Sequence, residues 1–239
     1  MAITSSSRAG PLAAVQQRIE QACQSAGRPD NCVQLLAVSK TRPAEMLRAL
    51  AAQGQRRFGE NYLQEALEKI QALADLALEW HFIGPIQSNK TRAIAEHFAW
   101  VHSVDRLKLA QRLSAQRPAE LPPLNICLQV NISAEQSKSG VSLTELPALA
   151  QAVAHLPGLR LRGLMAIPAP CHDPQQQHLP FRALAETMAR LNEQGLGLDT
   201  LSMGMSDDLE AAIAEGATLV RVGTALFGPR VTGDMQKPG

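Results

Sequence analysis

The sequence predicts an α/β protein, a single closed (β/α)8 barrel in which each parallel strand is followed by a helix. Three observations predict it. Short apolar, partly β-branched runs recur eight times along the 239 residues, and stretches rich in Ala, Leu, Gln, Glu and Arg separate them. Strand then helix, repeated, means a parallel sheet. Eight units in 239 residues leave roughly 30 residues per unit, close to what a closed eightfold barrel of about 250 residues requires. The rival, an open doubly wound sheet, announces itself with a glycine fingerprint after its first strand. Here that position reads SKTRP.

The elements follow in order. After a polar tail at residues 1–10, Leu12, Val15, Ile19 and Cys23 share one face of a helix over 11–27, which Gly27 can end. The first strand covers 33–39, and Thr41, Arg42 and Pro43 stop it and open a helix over 43–53. Strands at 56–58, 80–83 and 100–104 alternate with helices over 61–73, 88–98 and 105–116. RPAELPP, Arg117 to Pro123, is a rigid loop into the fifth strand at 125–132, and a helix over 142–156 follows. The sixth strand, 160–167, leads into a polar surface loop, CHDPQQQH from Cys171 to His178, and a helix over 175–195. The last strands, 199–203 and 218–223, flank a helix over 206–215. No Pro/Gly/Ser linker is long enough to divide the chain. Residues 11–230 are therefore expected to be one domain between flexible tails at 1–10 and 231–239.

Composition narrows the function. The 23 basic and 22 acidic side chains leave a net charge of +1, which argues against a generic affinity for nucleic acid or an anionic membrane. Aromatics are 3% of the chain, and the single tyrosine, Tyr62, lies in an amphipathic segment, so no platform for stacking bases is visible. Cys23, Cys32, Cys127 and Cys171 form no CxxC, which predicts buried thiols rather than a zinc ribbon or redox pair. The N-terminal MAITSSSRAG is polar and no window reaches the length of a membrane span, so a cytoplasmic location is expected.

Strand carboxyl ends in a closed barrel converge on one face, where sites are built. Here they supply Lys40, then Glu60 and Asn61 from FGENY, and Gln87, Ser88 and Asn89 from IGPIQSN. His102, Ser103 and Asp105 follow from VHSVD, with Asn131 and Met165 after them. Ser202, Met203 and Ser206 come from LSMGMSDD, and Arg221, Gly223 and Thr224 from RVGTALFG. The set is short of carboxylate pairs and rich in neutral polar groups and cations. LSMGMSDD is expected to place Ser206 at a helix N-cap, and RVGTALFG turns off the eighth strand at Gly223 and Thr224. Backbone N–H groups at such starts bind phosphate, and barrels of this kind often hold phosphate after strands seven and eight. RVGTALFG is neither a Walker loop nor GxGxxG. A strand-end lysine ordinarily packs its stem at the rim and sends its ammonium to water. The alternative is a lysine with a lowered pKa that attacks an aldehyde carrying phosphate. His97, His102 and the CHD tripeptide are not spaced as metal ligands, and no metal is expected.

Taken together, LLAVSKT, FGENYLQEA, WHFIGPIQSNK, NISAEQSKSG, RGLMAIP, SMGMSDDLEAAI and VRVGTALFG resemble the pyridoxal phosphate homeostasis protein family over about residues 11–230. The resemblance implies a TIM barrel like the N-terminal domain of alanine racemase, with pyridoxal 5'-phosphate (PLP) held as a Schiff base on Lys40. It implies that Ser206, Gly223 and Thr224 hold the phosphate, that Arg221 faces the pyridine nitrogen, and that Asn61 and Met203 or its neighbours lie beside the ring. Lys138, in the loop motif after strand five, is implied as a secondary lysine for transfer. A guanidinium only donates, so the nitrogen facing it must accept and stay unprotonated, which makes the ring a weaker electron sink.

The expected function is buffering, carrying or delivering PLP, with PLP-dependent apo-enzymes as recipients and no catalytic turnover. Racemases of this fold use a tyrosine from a further domain of a partner subunit, which this sequence lacks, and a monomer is therefore expected. The alternatives are a PLP-dependent amino-acid racemase working with a single base, and an aldolase-like enzyme whose lysine attacks a sugar phosphate directly.

Overall fold

The structure is a computed structural model that describes residues 10–133, 139–171 and 173–229. Eight strands close into a parallel barrel in sequence order: β1 Gln34–Val38, β2 Arg57–Glu60, β3 Glu79–Phe82, β4 Trp100–Val104, β5 Leu124–Gln129, β6 Leu159–Met165, β7 Thr200–Ser202 and β8 Leu219–Val222. The barrel closes where β8 pairs with β1, with Leu36 opposite Arg221 and Ala37 opposite Val222. Closure removes every sheet edge.

Helix α1 (Pro11–Ser25) precedes the barrel. Gly27, at φ 65°, ends it as the sequence predicts, with the Arg28 N–H returning to the Cys23 carbonyl. The crossovers are α2 (Ala44–Ala52), α3 (Leu63–Ala72), α4 (Thr91–His97), α5 (Leu107–Gln116), α6 (Leu146–Ala154), α7 (Pro174–Glu193) and α8 (Leu209–Ala214), and a short α9 (Thr224–Phe227) follows β8.

Strand alternation divides the apolar residues. Outward positions such as Leu35, Ala37, Phe58, Trp80, Phe82 and Val101 join one large cluster with the helices. Inside the barrel, Trp100, Cys127 and Met165 form a small separate cluster. The interior is otherwise unusually polar: His81, His102, Ser202 and Arg221 are all buried.

Several boundaries differ from the sequence expectation, and two of the differences lie near the candidate site. The CHDPQQQH segment is not a loop throughout: α7 begins at Pro174, capped by the Asp173 carboxylate, which accepts the Gln175 N–H at 2.9 Å. Helix α8 begins at Leu209 rather than at residue 206. The Asp208 carboxylate accepts the Met205 N–H at 2.6 Å, and this closes residues 205–208 into a turn first. The tails at 1–9 and 230–239 lie outside the described residues.

Candidate functional site on the carboxyl face of the barrel

Strand β1 runs out at Val38, and the Ser39 N–H still bonds the Gly59 carbonyl on β2. Half-buried Lys40 comes next, at the start of a sharp turn. Thr41 adopts φ 62°, a left-handed conformation costly for a β-branched residue, so something must hold it there. The Glu65 carboxylate on α3 does so by accepting the Thr41 N–H.

Lys69, one helical turn further along α3, secures the other side. Its ammonium donates to the Ser39 carbonyl at 2.6 Å, to Glu60 Oε1 at 2.7 Å and to Glu65 Oε1 at 2.6 Å, using all three donors. Ser39 Oγ donates to the same Glu60 oxygen. Both peptide groups flanking Lys40 are thus fixed to one buried ion cluster. Burial pushes the Glu60 carboxyl up, against the opposing pull of Lys69 and Ser39.

The phosphate candidates lie at the adjacent strand end. The register of β1 on β8 brings Gly223 beside Val38, and a Cβ at Gly223 would lie 3.2 Å from the Val38 carbonyl. Thr224 is exposed at the start of α9, where the first N–H groups lack intrahelical partners. Arg42 links this region back to the Lys40 turn by donating to the carbonyls of Gly228 and Pro229.

Below this rim Arg221 is buried. It donates to the Ser202 carbonyl at 2.6 Å, to Ser202 Oγ at 2.8 Å and to the Ala166 carbonyl at 2.9 Å. A guanidinium has five donors, so these three bonds leave donors over, and among the described residues no carboxylate pairs with it. Burial pulls its pKa down to about 10, with Asp208 opposing, so it stays charged at neutral pH. On the opposite side of the mouth, Asn61, Ile83, Pro85, Gln129, Asn131 and Ile167 line a cavity of about 310 Å³. Buried Asn61 Oδ1 has no hydrogen-bond partner among the described residues. Gly84 packs against the backbone of the same residue, so closely that a Cβ there would sit 2.1 Å from the Asn61 carbonyl oxygen.

Three sequence expectations need correction or qualification. Ser206 is not an N-cap, because the turn at 205–208 gives that place to Asp208; it borders a separate cavity of about 580 Å³ with Arg18, Pro170 and Phe181. Met203 does not line the face: Ser202 points inward, so its neighbour points outward, and Met203 is wholly buried in the outer cluster. Lys138 lies outside the described residues. Sequence reasoning missed the roles of Lys69, Glu65 and His81. Among the described residues no group of three His, Cys, Asp or Glu is arranged to hold a metal.

The comparisons with known proteins bear on this arrangement. A family model described as the alanine racemase N-terminal domain matches residues 11–231. A Pseudomonas aeruginosa protein named pyridoxal phosphate homeostasis protein is 68% identical over 219 residues, covering 92% of this chain and 94% of its own. The chain belongs to the pyridoxal phosphate homeostasis protein family. The family's Escherichia coli member is 56% identical over 222 residues, covering 92% of this chain and 95% of its own. Among solved structures, PipY of Synechococcus elongatus, determined with PLP bound, is 40% identical with a TM-score of 0.78, covering 88% of this chain and all of that one. Alanine racemase of Corynebacterium glutamicum, at 19% identity and a TM-score of 0.68 over 92% of this chain and 62% of its own, shares the barrel fold.

Proposed function

We propose that this protein binds pyridoxal 5'-phosphate on the carboxyl face of its barrel and serves PLP homeostasis by buffering, carrying or delivering it. The observation that carries this reading is the buried Arg221, a cation with spare donors and no carboxylate partner among the described residues, one strand away from Lys40. A pyridine nitrogen is an acceptor that suits it. The names of the family members and the PLP-bound PipY structure support the same ligand.

In this reading PLP supplies an aldehyde for the Lys40 amine. Ser39, Glu60, Glu65 and Lys69 fix the peptide on either side of that lysine, so its stem is aimed by the backbone. Gly223, Thr224 and the turn at Ser206 provide for the phosphate through N–H and hydroxyl donors. Asn61, which lines the far side of the mouth, would lie beside the ring. Arg221 leaves the ring nitrogen unprotonated, which suppresses carbanion chemistry and favours holding over turnover. The protein is proposed to act as a monomer in the cytoplasm and to supply PLP-dependent apo-enzymes. Among the described residues no helix is long and apolar enough to cross a membrane.

Visible absorbance after addition of PLP tests the reading, with Lys40→Ala prepared in parallel. A yellow band in the parent that is lost in the variant is the expected result. No band in either protein would remove the cofactor and favour a lysine that acts on a sugar phosphate. Exchange of an amino acid's α-proton with deuterated solvent would instead mark a one-base racemase.

A further inference from the structure

A line of polar side chains crosses the barrel interior from Arg221 to the opposite end. Arg221 Nη1 meets Ser202 Oγ at 2.8 Å, Ser202 Oγ meets His102 Nδ1 at 2.8 Å, and His102 Nε2 meets His81 Nδ1 at 2.8 Å. His81 Nε2 then meets Glu79 Oε1 at 3.0 Å. Glu79 is the first residue of β3 and also accepts from Arg57 Nε at 3.1 Å, so it sits at the amino end of the barrel, partly open to water.

The two ends fix the direction of every bond between them. Arg221 can only donate, so Ser202 Oγ accepts from it, and His102 Nδ1 is the one acceptor in this line to which the hydroxyl can give its own hydrogen. His102 must then carry its proton on Nε2 and donate to His81 Nδ1. His81 in turn carries its proton on Nε2 and donates to Glu79, which as a carboxylate can only accept. Each link has one donor and one acceptor, with no proton missing and none left over.

A charged His81 breaks this order. Its Nδ1–H would force His102 to donate toward Ser202 Oγ, and that hydroxyl, already accepting from Arg221, would hold a buried hydrogen with no acceptor among its hydrogen bonds. Burial also disfavours charge on both rings, and for His102 the nearby Arg221 adds to the effect. The rings are held in place as well: His81 stacks on Trp100 at 5.4 Å and 6°, and Arg162 lies 4.7 Å above the same indole.

We propose that Arg221, Ser202, His102, His81 and Glu79 form a one-way hydrogen-bond wire through the barrel, in which Ser202 and His102 are positioning residues that aim the guanidinium at the ligand's ring nitrogen. The positioning role rests on the PLP reading above, whereas the wire itself does not. With its hydrogen committed to His102, Ser202 Oγ offers Arg221 only lone pairs, which holds Nη1 on the serine and leaves other guanidinium donors for the ligand. Glu79 anchors the far end, so the orientation at the ligand face is set from the other side of the barrel.

Nitrogen-15 NMR of histidine-labelled protein without ligand, at pH 7.5, tests the wire directly. Two buried rings are expected, assigned with His81→Gln and His102→Gln, each protonated on Nε2 and bare on Nδ1. Protonated Nδ1 on either ring overturns the wire. Positioning is tested separately with Ser202→Ala and Ser202→Thr. Ser202→Ala is expected to weaken PLP binding about tenfold, the scale of one lost hydrogen bond to a charged group, and to shift the absorbance band. Ser202→Thr, which keeps the hydroxyl, is expected to restore both. Unchanged binding and spectrum in a folded Ser202→Ala would refute positioning. If the parent binds no PLP, the cofactor reading fails while the tautomers still decide the wire.

Discussion

Replacing Lys69 by methionine removes one ammonium and exposes how the Lys40 turn is built. The side chains of Lys69 and Glu60 are 6% and 0% exposed, so solvent screening offers little relief. The substitution strands the Glu60 carboxylate with the Ser39 hydroxyl as its remaining donor, leaves the Ser39 carbonyl short of a donor, and frees Glu65. Removing one partner of a buried pair costs about 3–5 kcal/mol, against about 0.3–0.5 kcal/mol for an exposed helical pair at this spacing. Urea denaturation is the assay, and a midpoint lowered by about 1 M or more is expected. Without Lys69 the Glu60 carboxyl is pushed further up, so the folded state binds its proton more tightly than the unfolded chain. Stability then falls as pH rises above the unfolded value of about 4.3, and the deficit is larger at pH 8 than at pH 5. The double variant Lys69→Met, Glu60→Gln should recover most of the loss, because it leaves no stranded charge. A loss below about 1 kcal/mol in the single variant would mean that the pair behaves as a surface pair and that the turn is held by something else.

Other outcomes follow from single contacts. Gly84→Ala places a Cβ 2.1 Å from the Asn61 carbonyl, so a thermal melt should show a loss of about 1–3 kcal/mol and a PLP titration weaker binding; parent-like behaviour in both would contradict the close approach. Burial pushes the Cys127 thiol up to about 12, so mass-spectrometric mapping after brief treatment of the native protein with a thiol reagent should find it unmodified while Cys171 reacts. Equal labelling of the two would argue against a sealed interior. Arg18→Ala breaks only an exposed pair with Glu210 between α1 and α8, and a stability change within about 1 kcal/mol is expected by urea titration.

The eight strands were legible because each is a short apolar run between helix formers, and Lys40 stood out as a charge at the end of one. What failed to show was depth. Glu65 and Lys69 are spaced like any surface pair on an amphipathic helix, and only the closed barrel reveals that α3 presses them against the end of β1. Glu60 stands in sequence only as one of the strand-end polar residues, yet it is buried and bound by Ser39 and Lys69. The alternation of β7 turns Met203 outward, and the turn closed by Asp208 starts α8 after Ser206; both are decided locally by neighbours in space. The polar line through the barrel did leave a trace: His81, His102, Ser202 and Arg221 each interrupt an apolar strand at an inward position. Which of them touch depends on the register around the barrel, and that is not written in any single segment.

The seam between β1 and β8 imposes a timetable on the protein. The strand that delivers Lys40 is made first, but its partner on one side is made last, and Arg42 reaches carbonyls 186 and 187 positions later in the chain. Contacts of that separation form only after the intervening chain is ordered. A ribosome-bound chain therefore carries its lysine without a finished socket for nearly the whole of its synthesis. In the proposed PLP reading, ligand capture waits for β8, so copies made only part-way would take nothing from the pool.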